Sequence, residues 1–285
     1  METKQFKVKA VTPSFWEVTF VNPPINLIDA ETIQQLNGLL ADIEADPKLT
    51  VVVFKSDDPD FFMAHYDIAS DTAAMAAMPP GPSGLHPWND VLVRLSRVPV
   101  LTVASIRGRA RGAGSEFLLA CDVRFASREK AILGQWEVGA GAVPGGGPMA
   151  RLSRLVGRGR ALEILIGSDD FAGDLAERYG YVNRAVPDAE LDTFVETFAR
   201  RIAGFEKEAI QVTKRFVDDV TLPPIGELAP NMNAFFASVA RPETRSRAMA
   251  LFKEGLQTRA DVELRLGDYI ARYTALTQHS CHWGQ

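Results

Sequence analysis

Two short, predominantly apolar runs constrain the folding of this chain more than anything else in it. Thr50-Val51-Val52-Val53-Phe54 and Pro99-Val100-Leu101-Thr102-Val103-Ala104-Ser105 lack the apolar/polar alternation of a half-buried strand. Runs of this length and character are strands covered on both faces, as in a parallel sheet. Parallel strands need crossover connections, and the connecting segments have helical periodicity. Ile33, Leu36, Leu39, Leu40 and Ile43 form one helical face behind a candidate N-cap at Asp29. Val91–Arg97 also reads as a helix, and Gly112-Ala113-Gly114 feeds a helix over Ser115–Cys121 before another strand at Val123–Ala126. The pattern predicts an α/β fold with a largely parallel sheet.

The ends of the chain differ in character. Phe6–Ala10 and Trp16–Phe20 alternate as half-buried strands do, with the Asn22-Pro23-Pro24 turn after them. Beyond about residue 146 helices dominate: Met149–Val156, Gly159–Ile166, Leu175–Tyr179, Leu191–Phe205, Ala209–Val220 and Met232–Asp268, with one clear strand at Val182–Val186. Pro223-Pro224 marks the best boundary. The division expected is an α/β core over residues 1–220 and a helical oligomerisation or capping region over 221–285.

Composition excludes several classes of function. The 285 residues, 46% of them hydrophobic and 24% charged, suffice for a full core and are not those of a disordered chain. Only Cys121 and Cys281 are cysteines, too few for a disulfide framework or a cysteine-built zinc module. The net charge of −5 argues against general nucleic-acid binding. No apolar leader opens the chain and no eighteen-residue apolar run occurs, so a soluble cytoplasmic protein with no membrane partner is expected.

Chemistry in α/β sheets gathers where strands end. Three such turns stand out. The first, Asp60 to Ile68, ends a buried strand in small and polar residues, although an ordinary strand-to-helix loop reads the same way. The second, Gly108 to Glu116, brings small residues to a helix start, whose free N–H groups and dipole favour an oxygen anion. It lacks the third glycine of a dinucleotide fingerprint, and no phosphate loop is present. Tight strand–helix packing explains its glycines, and Glu116 there is either a dipole partner or a working carboxylate. The third, Gln135 to Gly147, places Glu137 in an apolar, glycine-dense stretch. A desolvated carboxyl there gains a raised pKa and suits acid–base work.

Other constellations fail. There are four histidines and no Gly-x-Ser-x-Gly elbow for a nucleophilic serine. His279-Ser280-Cys281-His282 has metal-ligand residue types but lies at the extreme C-terminus, where a frayed tail is the simpler account. Arg107, Arg109 and Arg111 alternate and share a face if extended, fit for phosphates or for an interface salt-bridge row.

In order and spacing, these segments resemble the crotonase (enoyl-CoA hydratase/isomerase) superfamily. The resemblance spans about residues 15–220. It rests on Asn22-Pro23-Pro24-Ile25-Asn26-Leu27, Phe62-Met63-Ala64-His65-Tyr66-Asp67-Ile68, the stretches Pro99–Asp122 and Gln135–Leu152, and the close at Ala172–Asn183. It implies a crotonase-like fold of repeated ββα units with a helical C-terminal region. It also implies an acyl-CoA thioester as substrate and partner, and assembly as a homotrimer or a hexamer built as a dimer of trimers. By the same resemblance, backbone N–H groups of Ala64 and Ala113 form an oxyanion hole, and Glu116 and Glu137 are the catalytic pair that holds and activates one water. Met63, His65, Tyr66, Asp67, Ile68, Gly112, Trp136 and Gly141 are expected along the substrate. No metal or redox cofactor is implied, since coenzyme A is part of the substrate.

The family reaction expected is hydration of a 2,3-double bond. Isomerisation, decarboxylation or hydrolysis on the same enolate, and a non-catalytic acyl-CoA-binding or RNA-associated scaffold, are the alternatives. Two departures bear on the pocket. His65-Tyr66 stands in place of the usual Gly-Ala, and Trp136 in place of a common proline before Glu137. Bulky side chains at the oxyanion turn are expected to reshape the acyl pocket.

Overall fold

The computed structural model describes residues 3–70 and 72–279, with side chains to Arg272. Its strands are β1 (Phe6–Thr12), β2 (Phe15–Phe20), β3 (Val51–Ser56), β4 (Phe61–Met63), β5 (Leu101–Ile106), β6 (Arg109–Arg111), β7 (Val123–Ser127), β8 (Ile132–Gly134), β9 (Phe171–Ala172) and β10 (Arg184–Val186). The helices are α1 (Ala30–Ala45), α2 (Thr72–Ala76), α3 (Pro87–Arg97), α4 (Ala113–Ala120), α5 (Pro148–Val156), α6 (Arg158–Gly167), α7 (Gly173–Tyr179), α8 (Asp188–Ala203), α9 (Lys207–Thr221), α10 (Ile225–Val239), α11 (Pro242–Lys253), α12 (Asp261–Leu264) and α13 (Leu266–His279).

The main sheet has the order β1-β2-β3-β5-β7-β10. Its first pair is antiparallel and the other pairs are parallel. The unbroken apolar run of β3 has a direct explanation. Val52 and Phe54 face the main core with α1, α3 and α4, while Val51 and Val53 face a second cluster built with α8. Both faces are covered, so alternation is lost. A smaller sheet, β4-β6-β8-β9, stands beside it. Its strands are only two or three residues long, too short to leave a pattern in the sequence.

Helix α1 begins as expected. The Asp29 carboxyl accepts from Thr32 N at 2.7 Å, and Thr32 Oγ1 accepts from Asp29 N at 3.1 Å, a reciprocal cap. Helix α4 sits unusually close to β4, because a Cβ at Gly114 would lie 2.0 Å from the Met63 carbonyl oxygen. Only glycine permits that approach, and it brings the start of α4 to the loop that follows β4.

The helical stretch expected over Met232–Asp268 is instead the end of α10, all of α11 and α12 and the start of α13. It breaks at Ala240-Arg241, over residues 254–260 and at Arg265. This C-terminal region packs back on its own chain. Met232 joins the main core, and Leu251, Leu256, Val262, Leu266 and Ile270 cluster with Trp136 and Ala140. Among the described residues, no helix is long and apolar enough to cross a membrane.

Candidate active site

Three chain segments converge on one cavity of about 440 Å³: the loop after β4, the start of α4 and the glycine-rich stretch after β8. Helices α10 and α11 close it from above through Met232, Phe235, Phe236 and Thr244. The wall is mostly apolar, so the few polar groups in it are conspicuous.

Two backbone N–H groups are among them. Tyr66 forms a single parallel bridge to Ile28, in which Ile28 N donates to His65 O at 3.0 Å and Asp67 N donates to Ile28 O at 2.8 Å. In that pattern the N–H and C=O of Tyr66 itself point away from Ile28, and Tyr66 is one of the residues that line the cavity. Ala113 is the first residue of α4, and its N–H precedes the first intrahelical donor, Glu116 N to Gly112 O at 2.9 Å. Neither group has a hydrogen-bond partner among the described residues. The dipole of α4 adds to the anion preference at Ala113.

This geometry corrects the expected first donor. Ala64 N donates to Ile25 O at 3.3 Å, and Ala64 is buried with Ile25 and Phe61 away from the cavity. The available N–H lies two residues on, at Tyr66. Ala113, the other residue expected there, lines the cavity and has a free N–H among the described residues.

Both expected carboxylates reach the cavity. Glu116 lies on the first turn of α4, 2% exposed. Its Oε1 accepts from Gly146 N at 2.7 Å and its Oε2 from Trp88 Nε1 at 2.8 Å. Burial pushes its pKa up, while these two donors and Arg151 oppose the shift. Glu137 has no donor on Oε2. Burial, then the neighbouring Glu116 charge, push its pKa up to about 8. Burial thus favours the protonated form of both carboxyls, and it is opposed by two hydrogen-bond donors at Glu116 but by none at Glu137 Oε2. Trp88 was invisible as a site residue in the sequence, whereas Gly146 and Arg151 lie in stretches singled out there without a role of their own. The indole meets Glu116 only through packing of α3 on α4.

His65 is the most unusual side chain here. It is buried, with Nδ1 2.8 Å from Tyr66 O and Nε2 2.9 Å from Oε1 of buried Glu263. Burial works against a charge on the ring, yet the Glu263 carboxylate outweighs it and raises the His65 pKa. The same contact holds the Glu263 carboxyl below its usual range against its own burial. The Trp136 ring lies 5.2 Å from the imidazole, centroid to centroid.

Of the other residues expected along the substrate, Tyr66, Asp67, Ile68 and Trp136 line the cavity with His65. Three do not. Met63 is buried in the main core. Gly112 lies behind Glu137, where a Cβ would stand 2.7 Å from Oε1. Gly141 faces α11 and accepts from Thr244 Oγ1 at 2.9 Å. The alternating arginines form no common row. Arg107 pairs with Asp188 and Asp192, Arg109 Nε donates to Leu264 O, and Arg111 pairs with Asp170 and donates to Glu263 O. Among the described residues, no group of three His, Cys, Asp or Glu is placed to hold a metal. Of the His279–His282 tract, residues 280–282 and the side chain of His279 lie outside what is described.

Comparison with known proteins agrees with this arrangement. Residues 12–260 match the family model described as enoyl-CoA hydratase/isomerase, a match that runs through α10 and α11. The short-chain-enoyl-CoA hydratase of Clostridium acetobutylicum is 31% identical over 217 residues, 75% of this chain and 79% of that protein. The crotonyl-CoA hydratase of Syntrophomonas wolfei is 32% identical over 201 residues, 69% of this chain and 75% of that protein. A crystal structure from Streptomyces avermitilis, provisionally described as an enoyl-CoA hydratase, is 45% identical and superposes with a TM-score of 0.90 over 95% of this chain and 98% of that one.

Proposed function

The chain belongs to the enoyl-CoA hydratase/isomerase family and has the crotonase fold, and from that premise we propose how it acts as an enoyl-CoA hydratase-like lyase. The observation that carries the mechanism is the pair of buried glutamates facing one cavity with two free backbone donors.

The thioester oxygen of a 2-enoyl-CoA sits between the N–H groups of Tyr66 and Ala113. Water bound at Glu116 attacks C3 and gives a proton to that carboxylate. The π electrons of the double bond move toward the thioester, and its oxygen gains negative charge. Removing one such donor typically costs about 3 kcal/mol of transition-state stabilisation. Glu137 then delivers its proton to C2. The net addition is H and OH, and proton exchange between the carboxyls or with solvent resets the pair. Coenzyme A is the handle of the substrate, and the scheme uses no further cofactor.

Glu116→Gln and Glu137→Gln test the assignment, with loss of enoyl absorbance as the readout on a series of trans-2-enoyl-CoAs. Each variant is expected to lose roughly 10²–10⁴-fold in kcat. Activity surviving in the double variant sinks the two-carboxylate scheme. Turnover of 3-enoyl-CoA alone points to isomerisation instead, and thioester binding without turnover to a scaffold.

The fold also favours assembly. None of α9 is buried within the chain, and it exposes Phe216, Val217 and Val220. We place a second copy of the chain on this face, in a homotrimer or dimer of trimers, in the cytoplasm.

A further inference from the structure

We infer that His65 and Glu263 are positioning residues that fix the backbone at Tyr66 through its carbonyl, so that the Tyr66 N–H addresses the substrate thioester oxygen. The inference rests on the hydratase reading and extends it to residues outside the reacting pair.

The N–H and C=O of one extended residue point to the same side, so the Tyr66 carbonyl lies on the side of its N–H, away from Ile28. The two groups belong to successive peptide units: the unit with the N–H is held at its other end by Ile28 N on the His65 carbonyl, and the unit with the Tyr66 carbonyl is held by His65. An unengaged Tyr66 carbonyl beside an oxyanion site would repel the developing charge and leave the backbone free to rotate at Tyr66. His65 removes both problems. Its Nδ1 faces an oxygen that can only accept, so Nδ1 carries a proton and donates it at 2.8 Å. Nε2 faces Glu263 Oε1, which also accepts from Gln257 N at 2.7 Å. The ring is therefore fixed at both nitrogens.

The far end of this relay is itself fastened. Gln257 Nε2 donates to Asp67 Oδ1 at 2.9 Å, and Ala69 N donates to Gln257 Oε1 at 3.2 Å. Arg111 donates to the Glu263 carbonyl at 2.7 Å while pairing with Asp170. The segment Gln257–Leu264 thus clasps the turn that carries the oxyanion donor, from the residue before Tyr66 to three residues after it. A purely structural staple would tie the turn's edge. This one ends on the carbonyl of the donor residue itself.

The test uses the full chain and the best substrate among trans-2-enoyl-CoAs, starting with crotonyl-CoA. His65→Ala should lower kcat roughly tenfold to hundredfold, with KM held within about twofold, because the donor matters most when charge develops. His65→Asn places its amide nitrogen where Nδ1 was and should recover most of that loss. Glu263→Gln keeps the shape but not the charge and should fall between. Circular dichroism melting checks each fold. If His65→Ala fails to fold through its orphaned carboxylate, the His65→Ala/Glu263→Ala pair takes its place with the same expected kcat loss. A folded variant with wild-type kcat, a loss confined to KM, or an Asn variant no better than Ala overturns the inference. Wild-type protein that hydrates no enoyl-CoA overturns the hydratase reading first, which separates the two failures.

Discussion

At the scale of single residues, the two glutamates share an environment but not a role. Glu116 accepts from Trp88 and Gly146, whereas Glu137 has an oxygen with no donor. The working form proposed is therefore an ionised Glu116 beside a protonated Glu137. The sign of the pH dependence follows. A carboxyl raised to about 8 keeps its proton below that pH and loses it above, so kcat should fall as pH rises through about 8. A flat profile across pH 7–9 contradicts the assignment of Glu137 as acid. Trp88→Phe tests the other partner. It removes one donor from the Glu116 carboxylate, so the Glu116 pKa should rise further and the acidic limb of the profile should move up in pH, with a kcat loss of about tenfold. An unmoved acidic limb would show that the indole does not tune the base. Glu116 and Glu137 were legible in the sequence because a carboxylate in a glycine-dense apolar turn is conspicuous. The free N–H proposed as the first oxyanion donor was legible only to within two residues. Whether Ala64 or Tyr66 keeps a free N–H depends on how Ile25 and Ile28, some forty residues upstream, lie against the turn. The His65–Glu263 contact spans 198 residues and has no local signature.

At the scale of elements, legibility followed burial on two faces. The apolar runs of β3 and β5, the face of α1 and its Asp29 cap all carry strong local patterns. The short strands β4, β6, β8 and β9 do not, yet this second sheet aims the working segments. Gly114 shows how tightly. Its missing Cβ allows α4 to press on the Met63 carbonyl, directly before the turn that holds Tyr66. Gly114→Ala must push β4 and α4 apart. A destabilisation of about 3 kcal/mol is expected, together with a fall in kcat larger than the unfolded fraction accounts for. Thermal melting beside kinetics at a temperature where the variant is fully folded checks both parts. A folded variant with normal kcat would show that the oxyanion donors tolerate a shift of α4. The C-terminal helices misled for a different reason. A 3.6-residue period continues across a break when successive helices each bury a face on the same chain, so Met232–Asp268 reads as a single helix while the chain breaks three times within it.

At the scale of the whole molecule, the C-terminal region and α9 make opposite arrangements. The region after residue 221 covers its own chain's cavity and clasps its own oxyanion turn. The sequence left open whether it would join subunits or cap its own chain, because it offered no way to tell whose core its apolar residues would meet. Among the described residues, helix α9 has no residue buried within the chain. Its outer residues Phe216, Val217 and Val220 are 64%, 53% and 81% exposed. Between it and the core runs a groove of about 860 Å³ lined by Leu155, Phe205 and Val217 among others. An isolated chain would leave this contiguous apolar strip in water, which monomeric proteins avoid. A second copy is the occupant favoured here, because cyclic assembly covers the same strip on every subunit with one contact. Phe216→Glu with Val220→Glu places charge on that strip without touching the cavity. Light scattering should show wild-type protein at a multiple of three chains and the double variant at lower mass. Circular dichroism should be unchanged, since neither residue is buried within the chain. A double variant that keeps the wild-type mass moves the subunit interface off α9, and a monomeric wild type removes it altogether.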